Sequence, residues 1–263
     1  MSKKETLKSR RESPLYNRAF APYGNGKLLD YDNPETGEKI RYAQINTRPI
    51  KDCPFRSKGC EAVCYACKGN HCFPSVKKSR SVSYEETRRA DYTESITYTI
   101  RTEKTSARYR DAVMFIRTHE AGDFYSLQYL RKSLYAWNNF TPDDDVQFKF
   151  YTKSFPFFLM LTEDEKSILR RLMETGIVTI MLSVDDTTSP EQWEAYHKMR
   201  EEFPLCNTYH CTEHPEKIKY DHLCECSNCG KCGKCNKATG LYIVVIIHSA
   251  SKADMKVYRE NVR

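Results

Sequence analysis

Residues 112–124 read AVMFIRTHEAGDF, an apolar run that passes abruptly into polar and charged residues. The apolar part is short and rich in β-forming residues, which is typical of a buried strand. The pattern recurs in VQFKFYTKS (146–154) and IVTIMLSVDD (177–186). Helical stretches separate these runs, and strands that alternate with helices usually form a largely parallel sheet. These three stretches therefore predict an α/β fold.

The rest of the chain extends this alternation. Further strands are predicted at 39–48, 205–210 and 241–248, and further helices at 82–92 and 127–140. Along 127–140, leucines and a tryptophan recur at helical spacing and define one apolar face. An alternation of this kind predicts either a partial parallel (β/α) barrel or an open α/β layer.

Two more helices carry their own start and stop signals. Thr162 and Glu165 form a capping box, and Gly176 ends the helix that follows. Ser189 begins the next helix, and Pro204 ends it. We expect both helices to cover the predicted sheet.

The 263 residues are enough for one α/β domain with an appendage. We divide the chain into a basic amino-terminal arm (1–38), an α/β core (39–204), a cysteine-rich metal-binding segment (205–240) and a final core strand with a tail (241–263). The cysteine-rich segment is expected to fold back on the core, because core strands are predicted on both sides of it.

The charge of the chain is compatible with nucleic acid but does not require it. The net charge is +7, and part of the excess lies in SKKETLKSRR (2–11) and VKKSRSVSYEETRR (76–89). A solvated basic surface explains the same numbers. No run approaches the roughly 18 apolar residues of a membrane span, and no secretory signal is apparent. We therefore expect a cytoplasmic protein with no membrane partner.

Twelve cysteines fall into two groups. Five lie between residues 53 and 72, and seven lie between 206 and 235. Cytosolic thiols stay reduced, so clustered cysteines indicate metal sites rather than disulfides. We call residues 53–72 the first cysteine loop and residues 205–240 the second cysteine segment.

The first cysteine loop contains the spacing Cys-x3-Cys-x2-Cys at Cys60, Cys64 and Cys67. Three thiolates at this spacing suit three corners of a [4Fe-4S] cubane and leave the fourth iron open. Cys53 provides a further thiolate, and four thiolates would close the cluster. Zinc is the alternative metal for this loop.

The second cysteine segment contains four cysteines that are each separated by two residues: Cys226, Cys229, Cys232 and Cys235. Zinc ribbons place about 15 to 20 residues between two such pairs, whereas iron–sulfur proteins use runs close to this one. Zinc stays open here if more distant cysteines or histidines contribute ligands. The sequence predicts one or two iron–sulfur clusters, with zinc as the alternative in this segment.

Polar side chains that are capable of chemistry follow the predicted strands. The carboxyl ends of parallel strands meet at one edge of a sheet, where active sites of α/β proteins lie. Ordinary turn residues would give a similar pattern. The candidates for catalysis are His119, Glu120, Asp123, Tyr151, Lys153 and Asp185.

Four stretches together resemble the gene product 88 family of phages and mobile elements. They are CPFRSKGCEAVCYA (53–66), RTHEAGDFYSLQYLRKSLYAW (117–137), FKFYTKS (148–154) and CSNCGKCGKC with VVIIH (226–248). The resemblance implies a viral or plasmid-borne protein in a bacterial cytoplasm. In that resemblance Cys53, Cys60 and Cys64 are the matched cysteines of the first loop.

The order of elements also resembles, more distantly, the radical S-adenosylmethionine enzymes: a first strand, a cysteine loop, then alternating helices and strands. This resemblance implies a partial (β/α) barrel and bound S-adenosylmethionine, with Glu120 and Asp123 taking the place of a glycine-rich turn as the cofactor-binding residues. Ala66 stands where those enzymes usually carry an aromatic residue before the third cysteine.

Two functions from different classes follow. In the first, the protein is a redox enzyme in which a cluster acts on S-adenosylmethionine and the residues at the strand ends position a substrate. In the second, the metal is structural, and the protein binds nucleic acid or regulates, with Lys and Arg meeting phosphates and some of the 18 tyrosines stacking on bases. The polar residues after the strands favour the enzyme.

Overall fold

The computed structural model describes residues 6–23, 29–224, 232–247 and 251–262. In this part of the chain, nine strands form one sheet in the order β1-β3-β4-β5-β6-β7-β9-β8, with β2 beside β3. The strands are β1 Phe20–Ala21, β2 Tyr31–Asp32, β3 Lys39–Ile45, β4 Val113–Thr118, β5 Val146–Thr152, β6 Val178–Asp185, β7 Asn207–Thr212, β8 His222–Cys224 and β9 Tyr242–Ile246.

Helices connect the parallel strands. Those described are α1 Leu7–Arg11, α2 Lys58–Ala62, α3 Pro74–Arg88, α4 Tyr92–Lys104, α5 Leu127–Trp137, α6 Phe155–Leu159, α7 Glu163–Glu174, α8 Pro190–Glu202 and α9 Lys252–Val262. No described helix is long and apolar enough to cross a membrane.

The predicted α/β class is confirmed, and the sheet is mostly parallel. β3 to β7, β9 and β8 pair in parallel, whereas β1 and β2 pair antiparallel to β3. Consecutive strands from β3 to β7 are neighbours, as expected when each helix returns the chain to the next position. No pairing joins the two ends of the sheet within the described residues, so the sheet is not closed.

One face of the sheet is apolar and packs against helices. Side chains alternate between faces along a strand, and every second residue of β4, β5 and β6 lies in the main hydrophobic core. The apolar faces of four helices pack on these residues: α4, α5, α7 and α8. Examples from strands and helices in this core are Met114, Ile116, Phe148, Phe150, Ile180, Leu182, Ile100, Leu134, Leu172 and Met199.

The opposite face carries a row of polar side chains beside a small apolar cluster that contains Tyr42 and Phe115. The strand register aligns Gln44, Arg117, Lys149 and Thr179 in one row across four strands. Further toward the carboxyl ends, the alternation places Tyr151, Lys153, Ser183, Tyr209 and Cys211 on this face. We call this surface the polar face. It carries three cationic residues on or just after two adjacent strands, which is an unusual composition for the inside of an α/β sheet.

The predicted helix signals are confirmed at several places. Thr162 caps α7 through a capping box with Glu165, and Ser189 caps α8 with Pro190 in its first turn. Gly176 has φ +76, a left-handed conformation that suits the residue after a helix. On α5, Leu130, Leu134 and Trp137 are buried as predicted.

The helix predicted at 82–92 is wrong in its bounds. α3 begins at Pro74 and ends at Arg88, and Arg89 is extended (φ −50, ψ 143) before α4 begins at Tyr92. Both helices are rich in Ser, Thr and charged residues, so their apolar periodicity is too weak to mark their ends. The short strands β1, β2 and β8 and the carboxyl-terminal helix α9 were also not predicted.

The amino-terminal residues contact the core through α4. Arg11 makes two hydrogen bonds of 2.6 Å with the buried carboxylate of Glu103. The side chain of Asn17 donates to Ser95 Oγ (2.9 Å), and its backbone amide donates to Thr99 Oγ1 (2.6 Å). Residues 7–17 are therefore held on the helical layer by buried polar contacts.

Candidate functional site

The first cysteine loop is attached to the carboxyl end of β6. Ser57 caps α2 by accepting a hydrogen bond from the amide of Cys60 (3.1 Å), and its hydroxyl donates to Asp185. The amide of Gly59 donates to Thr187 Oγ1 (2.7 Å). These bonds place Cys60 beside the end of the polar face.

The far end of the loop is fixed by Tyr65 and Arg80. The hydroxyl of Tyr65 donates to the carbonyl oxygen of Glu120, just after β4. Arg80, on α3, donates to the carbonyl oxygen of Ala66 (2.9 Å) and contacts His71 Nδ1 (2.8 Å). The loop thus spans the carboxyl ends of β4 and β6.

Four thiols of this loop lie near one another. Burial is the main cause that raises the pKa of Cys53, and negative charge at Asp123, Cys60 and Cys64 adds to it. Burial likewise raises the pKa of Cys64 to about 12, and repulsion from Cys67 and Cys60 adds to the effect of burial. Cys53, Cys60, Cys64 and Cys67 are therefore linked through mutual charge effects within one loop.

This donor set fits a thiophilic metal. Neutral thiols are poor ligands, but a bound cation reverses the effect of burial and releases their protons. Thiolates are the ligands of iron–sulfur clusters and of structural zinc. Across the part of the chain that the structure describes, no three His, Cys, Asp or Glu side chains are already arranged around one point.

Lys153 and Asp185 form a buried ion pair next to Cys60. Lys153 Nζ lies 2.8 Å from Asp185 Oδ2 and also donates to the carbonyl oxygen of Ser183 (3.2 Å). Burial alone would raise the pKa of Asp185, but Lys153 and three hydroxyl and amide donors outweigh it and lower that pKa. Burial alone would lower the pKa of Lys153, but the negative charge of Asp185 and then that of the Cys60 thiolate raise it. Both groups therefore stay charged beside the cysteine loop.

Asp123 is buried between the loop and β5. Its carboxylate accepts hydrogen bonds from Thr152 Oγ1 (2.8 Å), the Lys153 amide (2.8 Å) and the Phe124 amide (2.7 Å). Burial raises the pKa of Asp123 to about 6 in spite of these donors. Its backbone amide donates to the carbonyl oxygen of Asp52, one residue before Cys53. Asp123 therefore ties the start of the loop to the sheet.

Glu120 and Tyr151 lie toward the polar face. Asn46 donates to Glu120 Oε2 at 3.5 Å, and Glu120 is close enough to affect the pKa of Arg117. The ring of Tyr151 contacts that of Tyr209 edge to face, with centroids 4.8 Å apart. Lys149 Nζ and Arg117 Cζ lie 5.2 and 4.8 Å from the Tyr151 ring. Of the predicted catalytic residues, the structure brings Glu120, Tyr151, Lys153 and Asp185 to this face.

His119 lies on the other side. Its ring packs edge to face on Phe124 at 4.5 Å, and its Nε2 is 3.1 Å from the hydroxyl of Tyr129, inside the apolar core. Burial lowers the pKa of His119 to about 3, so the ring is neutral. The backbone has φ +63 at this residue, which turns the chain after β4. The structure separates His119 from the other predicted catalytic residues.

The second cysteine segment reaches the polar face from the amino ends of the strands. Lys149 Nζ contacts Cys235 Sγ (2.8 Å) and donates to Asn236 Oδ1 (3.2 Å). Thr179 donates to the Asn236 carbonyl oxygen (3.2 Å). Cys232 Sγ lies 4.0 Å from His222 Nε2. Cys226 and Cys229 lie outside the described residues, so the metal site predicted for this segment stays a prediction.

Several residues of this site were missed by the sequence reasoning. Four of them lie inside strands: Arg117, Lys149, Tyr209 and Cys211. The predicted catalytic residues, in contrast, lie at or just after the ends of strands. A signal was present, because in VMFIRT and VQFKFY the charged residues occupy the phase opposite to the large apolar ones.

The chain was compared with protein families, curated proteins and solved structures. The sequence profile of the family described as Gene product 88 matches residues 15–238. Neither the curated proteins nor the solved structures gave a match. The matched range contains the first cysteine loop, the polar face and the second cysteine segment up to residue 238. The chain therefore belongs to the Gene product 88 family.

Proposed function

We propose that this protein is an iron–sulfur redox protein whose cluster is held by the first cysteine loop. The observation that carries the proposal is the attachment of one loop, which contains Cys53, Cys60, Cys64 and Cys67, to the carboxyl ends of β4 and β6. Four thiols in one short loop are a donor set that iron–sulfur clusters use. The spacing within 60–67 is also tight enough to wrap a cluster.

The polar face beside the loop supports a chemical role over a purely structural one. A cluster that only stabilised the fold would need no buried charges next to it, and buried charges cost stability. Lys153 and Asp185 lie beside Cys60, and Tyr151 lies two residues before Lys153 on the same face of the sheet. A bound cluster would supply electrons, and these residues would position a substrate and hold or move its protons.

A finer form of the proposal is a radical S-adenosylmethionine-like enzyme with a partial (β/α) barrel. Consecutive strands in one direction, with helices packed on a single face, are typical of such barrels. S-adenosylmethionine would need an iron without a cysteine ligand. Asp123 accepts three hydrogen bonds from its own chain, and it would have to give up some of them to bind such a cofactor.

The test is the metal content of protein purified without oxygen. The proposal expects a brown protein that contains iron and acid-labile sulfide, with absorption that bleaches on reduction by dithionite. Cys72→Ser is the matched control, because Cys72 Sγ donates to the Cys67 carbonyl oxygen and a serine hydroxyl can keep that bond. Colourless protein with stoichiometric zinc and no iron would contradict the proposed iron–sulfur cluster. Cleavage of S-adenosylmethionine by the reduced protein would support a radical S-adenosylmethionine-like enzyme.

A second candidate, a nucleic-acid-binding module with a structural metal, is favoured by α3. Lys77, Lys78 and Arg88 are exposed along this helix, and the aromatic ring of Phe73 just before it is 56% exposed. Cations beside an exposed ring suit phosphate contact and base stacking. Binding of single-stranded DNA that weakens steeply with salt, and that Lys77→Gln with Lys78→Gln abolishes, would support this function.

A further inference from the structure

Arg117 has an unusual position in the middle of the polar face. It lies on β4, one of the central strands, with Gln44 on one side and Lys149 on the other. Its guanidinium carbon is 4.8 Å from the ring centre of Tyr151, and the phenols of Tyr65 and Tyr209 are near enough to affect its pKa. The residue is therefore surrounded by protein, yet its side chain keeps some accessible surface.

Arg117 has no acceptor in the part of the chain that the structure describes. Its Nε is fully buried and makes no hydrogen bond, and no carboxylate forms an ion pair with its guanidinium. The other two cations of this face are paired: Lys149 with Cys235 and Asn236, and Lys153 with Asp185. Glu120 contributes a more distant negative charge.

An arginine without an acceptor at such a place calls for an explanation. Buried polar groups almost always have partners, and an uncompensated buried charge is costly. A role in packing would be served as well by an apolar side chain, as in the alternate positions of the same strand. The planar guanidinium offers five donors in a fork that matches two oxygens of a carboxylate or phosphate. The accessible part of the side chain is where such a group can reach it.

We propose that Arg117 binds the anionic group, a carboxylate or a phosphate, of a small-molecule ligand on the polar face. Tyr151 and Tyr209 form one wall of this site, and Tyr65, on the first cysteine loop, forms the side toward the proposed cluster. Glu120 limits the site to one strongly bound anionic group, since it already offsets part of the positive charge. The inference rests on the proposed function only in making this face the substrate side of the loop.

The experiment measures binding of two simple probes, inorganic phosphate and malonate, by isothermal titration calorimetry. Wild-type protein should show saturable binding of at least one probe, and the preferred probe identifies the oxygen acid. Arg117→Gln should weaken that binding by about tenfold to a hundredfold, as expected for loss of a charged hydrogen-bonding partner. The matched control is Arg110→Gln, an exposed arginine in the turn before the same strand, which should bind like wild type.

Two further variants keep the outcomes distinct. Arg117→Lys keeps the charge without the fork, so it should fold and bind with intermediate affinity if the guanidinium recognises the anion. Cys60→Ser should lose metal but retain binding, which would separate this inference from the cluster. No saturable binding to wild type, or equal binding by Arg117→Gln and Arg117→Lys, would overturn the inference whatever the metal content.

Discussion

The α-carbon of Gly59, in the first cysteine loop, faces the ring of Tyr258 on the carboxyl-terminal helix α9. A Cβ at residue 59 would lie 2.5 Å from Tyr258 Cε2 and 2.6 Å from Thr187 Oγ1. The Tyr258 ring is buried, and its hydroxyl donates to Asp186 Oδ2 (3.2 Å). A salt bridge of 2.6 Å between Lys68 and Asp254 holds the same helix to the loop. α9 thus packs directly on the loop that carries the proposed metal ligands.

Gly59→Ala should therefore destabilise the protein by overpacking, by about 1–3 kcal/mol in the free energy of unfolding. Urea denaturation of the purified protein measures this. Tyr258→Leu in the Gly59→Ala background should recover part of the loss, because the smaller side chain leaves room for the methyl group. Purely additive effects of the two substitutions would show that the contact between Gly59 and Tyr258 is not tight.

Asp185→Asn should cost about 3 kcal/mol or more, because it leaves the buried ammonium of Lys153 without its counter-charge. It also weakens the bond from Ser57, so the cysteine loop should lose protection against hydrogen exchange before the sheet does. The matched control is Glu194→Gln, which breaks the exposed pair with Lys198 and should cost under about 1 kcal/mol. Equal losses in the two variants would contradict a buried pair.

The sheet was predictable because its central strands are short apolar runs that stand out in the sequence. The runs at 112–118, 146–151 and 177–184 are apolar and short, and the helices between them carry caps such as Thr162 with Glu165. α3 was harder, since its buried residues are Arg80, Ser83 and Thr87. On α4, Ser95, Thr99 and Glu103 are buried among a few apolar residues. Where polar side chains occupy buried positions through hydrogen bonds, the apolar period of a helix becomes too weak to give its bounds.

The site was predictable only in part. The edge of the sheet was anticipated from strand order, and it does hold Glu120, Lys153 and Asp185. His119 follows its strand just as they do, but its left-handed backbone turns the ring into the core. The direction of a side chain after a strand depends on the local turn, which a residue pattern does not specify.

His119 should make the protein sensitive to acid. Burial lowers the pKa of His119 to about 3, below the usual 6.5, so the unfolded chain binds a proton between these values while the folded chain does not. Stability from this residue is complete above pH 6.5 and is lost as the pH falls, by up to about 1.4 kcal/mol per pH unit. Urea denaturation at pH 6.5, 5.5 and 4.5 should show a smaller pH dependence for His119→Asn, whose asparagine tolerates φ +63. The exposed His197→Asn should behave as wild type, and an unchanged slope in His119→Asn would contradict the prediction.

The number of cysteines that bind the metal of the first cysteine loop decides the chemistry of that metal. Cys53, Cys60, Cys64 and Cys67 are near one another, and Cys53 is buried beside Asp123. We expect each of the four serine variants to lose most of the bound metal, because the remaining three thiolates would leave a buried centre incompletely ligated. Cys72→Ser should retain the metal. The metal content is measured by iron and sulfide analysis and by the visible spectrum of each of the five variants.

A different result would change the chemistry rather than the place of the site. If Cys53→Ser keeps its metal while the serine variants of Cys60, Cys64 and Cys67 lose it, three thiolates hold the cluster and one iron is open. An open iron at this edge would face Lys153 and Asp185 and could bind S-adenosylmethionine, which then should be cleaved after reduction. Four ligands leave electron transfer, redox sensing or a structural role, and reduced wild-type protein should then leave S-adenosylmethionine intact. The Cys53→Ser variant therefore separates the two forms of the proposed function in one preparation.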